Sequence, residues 1–572
     1  MGVELKGNGS GEPPMNPTIA VPLFVVSGLI AIRFVWKTVI RIRHCRRAKA
    51  ARQGTDQTQL CRTNRFNAAL KKHLLYAPIW GNRHSREFRV LRLHMGSLPL
   101  RLEVICLLIY LSLNLVFIVV KVDWWLTDYS EKMFQLKYAA GHLAVMNTPG
   151  LVLGAGRNNP LIQLLGISFD TFNFMHRWVG RVITANAVIH MSAVLADKAY
   201  VYGTDYILYV MWQQKLFICG LLRVLLGTLI LWGLDRAGRL GILLWRNLSS
   251  RPTTATVEVL PGSVARVDVA VARGWRFRPG QYMYLYMPCL GLWTSHPFTV
   301  AWSSTSDSLS MNEKRSSGDS LSALSGSSPT TTMSVLIKGQ DGFTKKLLRK
   351  AEDSTEGRIQ AMALAEGPFG GIHSLASYGT LLLIAGGVGI THPMSYLNEV
   401  ITTFVEQKTA TRKVHLVWIV RSLGMIAPTC YMRLITNILK DHLSWVQTFM
   451  TEMLGHESLA SPTTPNGHSY FQFPQLLLSI SLHITSHKDT VEEYIPQPDS
   501  LWVQCAPPGV PVSIHHGKPC IQSVLEKEKE EQIGAMAVSV CGPGGLGDSV
   551  REAVRSVQGE KTVDLFEETF SW

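Results

Sequence analysis

Apolar residues in the first 236 positions gather into runs, whereas from position 251 onward they alternate with polar ones. Five runs, at 18–36, 102–120, 136–154, 172–196 and 207–234, approach the roughly twenty residues that an α-helix needs to cross a bilayer. The first carries Arg33 near its end, where a long side chain can snorkel, and the fourth is unusually polar. Further on, Val257-Glu258-Val259 and Val267-Asp268-Val269-Ala270-Val271 show the period of two that marks half-buried strands. The pattern resumes at Met333-Ser334-Val335-Leu336-Ile337-Lys338, after a serine-rich stretch, 303–332, that is too poor in large apolar residues to pack and is expected to be a disordered excursion. A third texture begins near Leu364. The continuous apolar run Thr380-Leu381-Leu382-Leu383-Ile384-Ala385 reads as a buried strand and meets Gly386-Gly387-Val388-Gly389-Ile390-Thr391 before a helical segment. Strands ending at Trp418–Arg421 and at Val540 repeat the theme, and strands alternating with helices predict a parallel sheet.

The expected organisation is a membrane protein of several domains. A terminus at 1–17 precedes a helical region at 18–236 with about five spans. An antiparallel β-barrel follows at 251–372, interrupted at 303–332, and an α/β domain at 378–572. Composition agrees: 47% hydrophobic and 17% charged residues are too apolar for a soluble protein and too polar for a pure transporter. The formal charge of +15 is concentrated, with Arg41, Arg43, Arg46, Arg47, Lys49 and Arg52 directly after the first run. A basic cluster beside an apolar span marks the cytosolic side of a membrane rather than a nucleic-acid site. That choice puts the N-terminus outside, the acidic loop 123–131 outside, and everything after Asp235 in the cytosol. Residues 1–17 are polar, so the first run reads as a retained anchor in membrane lipid, with Asn8-Gly9-Ser10 as a glycosylation sequon outside. Nine scattered cysteines without a CxxC pair indicate neither a zinc site nor a disulfide framework.

The polar fourth run holds His176, Arg177, Arg181, Asn186 and His190. Ionisable groups inside a bilayer cost about 2.5–3.5 kcal/mol each and are functional candidates by default. Fourteen residues separate the two histidines, just under four helical turns or roughly 21 Å, so both face one side at different depths. The spacing suits axial ligands for two stacked haems, and equally suits two imidazoles bonded to a neighbouring helix. In the α/β region, a strand running into a glycine turn and a helix N-terminus is an arrangement that accepts a phosphate.

Six segments, taken in order, resemble the ferric reductase and NADPH oxidase superfamily, most closely its fungal ferric/cupric reductase branch. They are Gly156-Arg157-Asn158-Asn159, Phe174-Met175-His176-Arg177-Trp178, His296-Pro297-Phe298-Thr299, Gly386–Thr391, Cys541-Gly542-Pro543-Gly544 and the ending Phe566-Glu567-Glu568-Thr569-Phe570-Ser571-Trp572. The resemblance implies a ferredoxin-reductase-like pair of domains that takes electrons from cytosolic NADPH through FAD, and through haem b, to ferric or cupric chelates outside a plasma or vacuolar membrane. It places Arg278, Pro279, Gly280, Gln281, Tyr282, His296, Pro297, Phe298 and Thr299 around FAD, with Gly342 and Thr344 near its pyrophosphate. It places Gly386, Gly387, Gly389, Ile390, Thr391, Cys541, Gly542 and Pro543 around NADPH. Arg421, at a strand end, is the candidate for the 2′-phosphate, which a guanidinium can bind bidentately. Phe570 or Trp572 would cover the flavin ring.

One departure matters. The family clamps its haems between two histidine-bearing helices, and here no histidine occurs between Ala199 and His296. The stretch 207–234, with Gln213, Gln214, Lys215 and Arg223 inside it, resembles the start of one family span joined to the end of another. His142 is a candidate substitute ligand. A smaller departure puts Gly517-Lys518-Pro519 where the family has Gly-Arg-Pro, which keeps the charge and loses the planar fork. Besides the metal reductase, three readings stand: a superoxide-producing oxidase, a haem-deficient tethered diaphorase, and a non-catalytic membrane protein.

Overall fold

The computed structural model describes residues 17–52, 57, 61–90, 93–157, 159–205, 215–291, 294–305, 331–406, 408–421, 476–485, 493–494 and 512–568. In chain order the first elements are α1 (Pro17–Arg52), α2 (Arg65–Leu70), which continues as one π-helical turn, and the antiparallel pair β1 (Glu87–Val90) and β2 (Leu93–Ser97). Next come α3 (Arg101–Lys121), α4 (Tyr129–Ala155), α5 (Pro160–Leu165), α6 (Phe169–Tyr202) and α7 (Lys215–Asn247). The chain forms two compact units: 1–42 with 103–236, and 43–102 with 237–572. Residues 43–102, within the region read as membrane helices, thus group with the β-rich half.

In the first unit the helix ends follow from capping chemistry. The Asp128 carboxylate accepts from Ser130 N at 3.0 Å to open α4. Asn159 does the same for α5 through Leu161 N, and the Ser168 hydroxyl for α6 through Thr171 N. Gly166 closes α5 at φ +62°, a left-handed cap. Among the described residues two helices, α3 and α6, are long and apolar enough to cross a membrane. Helices also occupy the other three expected positions, but charged and polar residues such as Lys132, Lys137 and Asn147 of α4 dilute their apolar runs. Residues 206–214, where the fifth run begins, lie outside the described set.

The second unit contains β3 (Thr254–Leu260), β4 (Val264–Val271), β5 (Gln281–Tyr286), β6 (Ser295–Thr299), β7 (Trp302–Thr305), β8 (Thr331–Lys338), α8 (Phe343–Glu352), β9 (Arg358–Met362) and β10 (Leu364–Gly370). Where a single barrel is expected, the hydrogen bonds describe two antiparallel sheets, ordered β10-β5-β6 and β7-β8-β4-β3-β9. Both contribute to one core, with Met283 and Leu285 meeting Val267, Val335 and Ile337. Most of the serine-rich excursion lies outside the described residues.

The rest is α/β: β11 (Thr380–Gly386), α9 (Thr391–Val405), β12 (Lys413–Arg421), β13 (Leu477–Thr485), β14 (Glu493–Tyr494), β15 (Val512–His516), α10 (Ile521–Glu530), β16 (Met536–Cys541), α11 (Gly544–Ser556) and β17 (Val563–Glu568). They form a seven-stranded sheet, β14-β15-β13-β12-β11-β16-β17, parallel except for β14. The alternation of its strands builds two cores. Leu381, Leu383 and Trp418 pack under α9, while Leu382, Ile384 and Val538 pack under α10 and α11.

The edge strand β17 is anchored through Asp564. Lys71 Nζ lies 2.5 Å from Asp564 Oδ1, and the Tyr378 hydroxyl donates to Oδ2 at 2.8 Å. Burial works to raise the Asp564 carboxyl, but Lys71, the Tyr378 hydrogen bond and Arg47 together hold it below the usual carboxylate range. A depressed carboxyl contributes stability that is present above the unfolded pKa of about 3.9 and lost as pH falls through the folded value. Asp564→Ala should therefore destabilise this unit by about 2–3 kcal/mol near neutral pH, since it strands a charge-assisted donor. In thermal unfolding followed by tryptophan fluorescence, the wild-type advantage over Asp564→Asn should shrink below about pH 4.

Candidate active site

In the helical unit, α4 and α6 lie close because small residues face the histidines. A Cβ at Gly154 would sit 3.1 Å from that of His176, and one at Gly141 would sit 3.0 Å from His190 Nδ1. His176 Nδ1 donates to the Leu151 carbonyl at 2.8 Å, and His190 Nδ1 to the Lys137 carbonyl at 2.8 Å. A carbonyl only accepts, so each bond puts the proton on Nδ1 and leaves the Nε2 lone pair available. An outer hydrogen bond of this kind orients a metal-ligating imidazole. The two readings of the pair are thus compatible: one nitrogen ties the helices, the other is free to ligate. Among the described residues neither Nε2 has a partner. His142, the candidate substitute, is exposed, with its ring 6.1 Å from that of Tyr138 on its own helix. Among the described residues each level therefore offers one histidine rather than a facing pair.

In the β-rich unit, register sorts the expected flavin residues onto two faces. Tyr282 pairs with Thr299 and Tyr284 with Pro297, while Met283 pairs with Phe298 and Leu285 with His296. Because side chains alternate across a strand, Tyr282, Tyr284, Pro297 and Thr299 share one face. Phe369 of β10 stacks on Tyr282 there at 5.7 Å and meets Tyr284 edge-on at 5.5 Å. His296 and Phe298 share the opposite face with Phe343, at 4.9 and 6.4 Å. Phe343 opens α8 directly after Gly342 (φ +71°), and the Thr344 hydroxyl accepts from Gln340 N at 2.9 Å. The Arg278–Gln281 turn is closed by Gln281 N to Arg278 O at 3.2 Å, with the Gln281 side chain accepting from Arg278 N at 2.9 Å.

That turn meets the α/β sheet. Gly280 N donates to Ser395 Oγ at 3.2 Å, and a Cβ on Gly280 would lie 2.6 Å from the Tyr396 hydroxyl, so the left-handed Gly280 (φ +72°) is also a packing requirement. Beneath lies His392, buried, with Nε2 3.1 Å from the Ser539 hydroxyl. Burial pushes this imidazole down to about 3, so it stays neutral.

The glycine turns meet each other. A Cβ at Gly386 would lie 2.7 Å from Pro543 Cδ, one at Gly542 would lie 3.1 Å from Gly386 Cα, and one at Gly389 would overlap the Cys541 carbonyl. Gly387 (φ +55°) gives its carbonyl to Trp418 Nε1 at 3.0 Å, and Thr391 Oγ1 donates to the Val388 carbonyl at 3.2 Å, with Ile390 buried between them. Burial, then the Glu568 carboxylate, push the Cys541 thiol well above its ordinary value, so it is no thiolate nucleophile. Arg421 is the exposed last residue of β12, at the C-terminal sheet edge where such folds bind ligands. Phe570 and Trp572 lie outside the described residues.

Sequence reasoning missed four side chains that organise these turns. His392 and Tyr396 lie in the first and second turns of α9, and nothing in their spacing separates them from ordinary helical residues. Arg239 clasps buried Glu366 at 2.9–3.0 Å through two guanidinium nitrogens. Asn247, also buried, exchanges two hydrogen bonds with the backbone of Ala365, at 2.8 and 2.9 Å.

Comparison with known proteins agrees with this geometry. The ferric reductase like transmembrane component matches residues 140–248, the FAD-binding domain 249–328 and the ferric reductase NAD binding domain 378–555. Ferric/cupric reductase transmembrane component 2 of Saccharomyces cerevisiae is 25% identical over 558 residues, covering 87% of this chain and 71% of that protein. Ferric reductase transmembrane component 3 of the same yeast is 24% identical, covering 88% and 71%. A probable cell surface ferric reductase of Aspergillus oryzae is 25% identical over 351 residues, covering 50% and 44%. In one chain, then, a region similar to the ferric reductase transmembrane component is followed by regions similar to an FAD-binding domain and to the ferric reductase NAD binding domain, in that order.

Proposed function

We propose that the protein is a transmembrane ferric or cupric chelate reductase that draws electrons from cytosolic NADPH. The observation that carries the reading is the docking of the Gly280 turn on α9, the helix that leaves the Gly386–Thr391 turn. It brings the expected flavin and nicotinamide residues into one compact unit. FAD, when bound, converts the two-electron delivery of a nicotinamide into the single electrons a metal accepts. The residues present fit it: Tyr282, Pro297 and Thr299 share one strand face, and Gly342 takes a left-handed backbone (φ +71°) with open space where a side chain would sit. On this reading Gly386, Gly389 and Gly542 allow close approach of the dinucleotide, Thr391 caps it at the start of α9, and Arg421 binds the 2′-phosphate. All of α1, α3, α4, α6 and α7 cross the bilayer on this reading, and the basic cluster Arg41–Arg52 supports an N-terminus outside and nucleotide domains in the cytosol.

Haem fits less well. His176 and His190 would each hold one iron through Nε2, but a clamp of two histidines per haem is not met by the described residues. That single-sided supply favours a second reading, in which the chain reduces acceptors on its cytosolic face alone.

Inside-out membrane vesicles carrying the chain should reduce a membrane-impermeant ferric chelate sealed inside them when NADPH is added outside. No reduction above empty vesicles would remove the transmembrane reading, while reduction of a soluble dye on the NADPH side would then support the second. Arg421→Ala should raise KM for NADPH by about ten- to a hundredfold and leave KM for NADH unchanged, the worth of a charge-assisted phosphate contact.

The haem-to-flavin ratio of the detergent-purified chain separates the two readings spectroscopically. We expect fewer than two haems per FAD, with any haem lost in His176→Ala or His190→Ala while FAD remains. Two haems per FAD would mean that facing ligands exist outside the described residues.

A further inference from the structure

We infer that residues 61–86, upstream of α3, are a working part of the nucleotide-binding sheet, and that Ser85 and Arg86 are positioning residues for the nucleotide at the Cys541–Gly545 turn. The inference rests on reading that turn as part of the NADPH site. The segment is tied along β17 and α11 by specific bonds. Thr562 N donates to Cys61 O at 2.6 Å and Thr63 N to Glu560 O at 2.8 Å, an antiparallel bridge beside the edge strand. Lys71 pairs with Asp564, and Arg555 Nε donates to Lys72 O at 3.0 Å. The strap ends at the first turn of α11. There the buried Asp548 carboxylate accepts from His84 N and Ser85 N at 2.8 and 2.7 Å, and Arg86 Nε lies 3.3 Å from its other oxygen. The Ser85 hydroxyl donates to Glu567, which also pairs with Arg551.

The glycines at this turn divide by partner. Gly542 meets the Gly386 backbone, as a dinucleotide fold requires. Gly544 and Gly545 serve the strap: a side chain at Gly544 would overlap the Ser85 carbonyl, and a Cβ at Gly545 would lie 3.3 Å from the Arg86 guanidinium; one at Gly547 would meet both Glu567 Oε1 at 2.5 Å and Ser85 Oγ at 3.1 Å. The Cys541–Gly547 segment is therefore held between two partners, the Gly386–Gly389 turn on one side and the strap on the other. Asp548 is 5% exposed, and losing the strap amides would leave its carboxylate unsatisfied, so the contact is costly to open. The Arg86 side chain remains 53% exposed beside the turn, and among the described residues Asp548 is the one carboxylate paired with it. Its guanidinium adds positive charge where an anionic nucleotide is expected.

The test uses the full chain in mild detergent, with NADPH oxidation by a soluble dye, bound FAD, and limited proteolysis of the strap as readouts. Arg86→Gln and Ser85→Ala attack the contact from the strap, and Gly544→Ala from the turn. Each should raise KM for NADPH by about tenfold, lower kcat less than twofold and leave FAD bound. Arg86→Gln combined with Gly544→Ala should cost no more than the larger single effect, because both break one contact. Arg86→Lys should recover part of the loss. An unchanged KM in all three variants, with the strap newly open to protease, would reduce it to a cover and overturn the inference. Gly542→Ala distinguishes the underlying reading: if it too leaves KM unchanged, the turn is not the nucleotide site at all.

Discussion

Two turns whose backbones touch hold the α/β half together at the end of its sheet. Gly386 ends β11, Cys541 ends the adjacent parallel strand β16, and with Gly389 and Gly542 between them no Cβ intervenes. Everything chemically useful in this unit is referred to that contact. α9 and α11 both begin there, and Trp418, fully buried on the next strand, pins the Gly387 carbonyl from below. The flavin-side Gly280 turn rests on α9 one helical turn further along. A shift of even an ångström between these backbones would move both helix starts relative to the flavin face, a displacement large enough to lower a rate severalfold.

The helical unit uses a different device for the same end. Its two histidines spend one nitrogen each on carbonyls 14 residues apart in α4, matching their own spacing in α6. The helices are locked in register, and the remaining nitrogens share one tautomer. Tyr110, Asn114 and Asn147 add an interhelical polar link, with bonds of 2.8 and 2.9 Å. Such links within apolar helices are each worth only about 0.6–2 kcal/mol, so their use is alignment more than cohesion.

What could be read from the sequence was whatever repeats locally. The glycine turn after an apolar strand, the alternation in β3, β4 and β8, and the helical phase of His176 and His190 are all properties of short windows. The strap could not be read this way: residues 61–86 look like the polar, basic loop that topology demands, and their partners lie more than 460 positions away. The same applies to Asn247, whose amide pairs with the Ala365 backbone as another strand would. Every described residue of the five apolar runs lies in a helix or beside one, yet among the described residues only α3 and α6 are apolar enough to stand as spans by composition. Alternation in these strands fixes which face is buried, and leaves open how many sheets share the core.

The Arg239–Glu366 pair shows why such long-range polar contacts are kept. Glu366 is 5% exposed and Arg239 17%, so both charges lose most of their hydration, and the bidentate bond largely repays that cost without a surplus. The Tyr286 hydroxyl donates to Glu366 Oε2 at 3.0 Å, satisfying a further lone pair from within the flavin sheet. A well-packed apolar pair would hold α7 against β10 as firmly, but would tolerate sliding, since dispersion contacts are not directional. A forked guanidinium on a carboxylate fixes distance and angle together. With Asn247 bonded to Ala365, two helical turns beyond Arg239, the end of α7 is held at two points against one strand. That is the minimum needed to set both its position and its rotation relative to the β10-β5-β6 sheet.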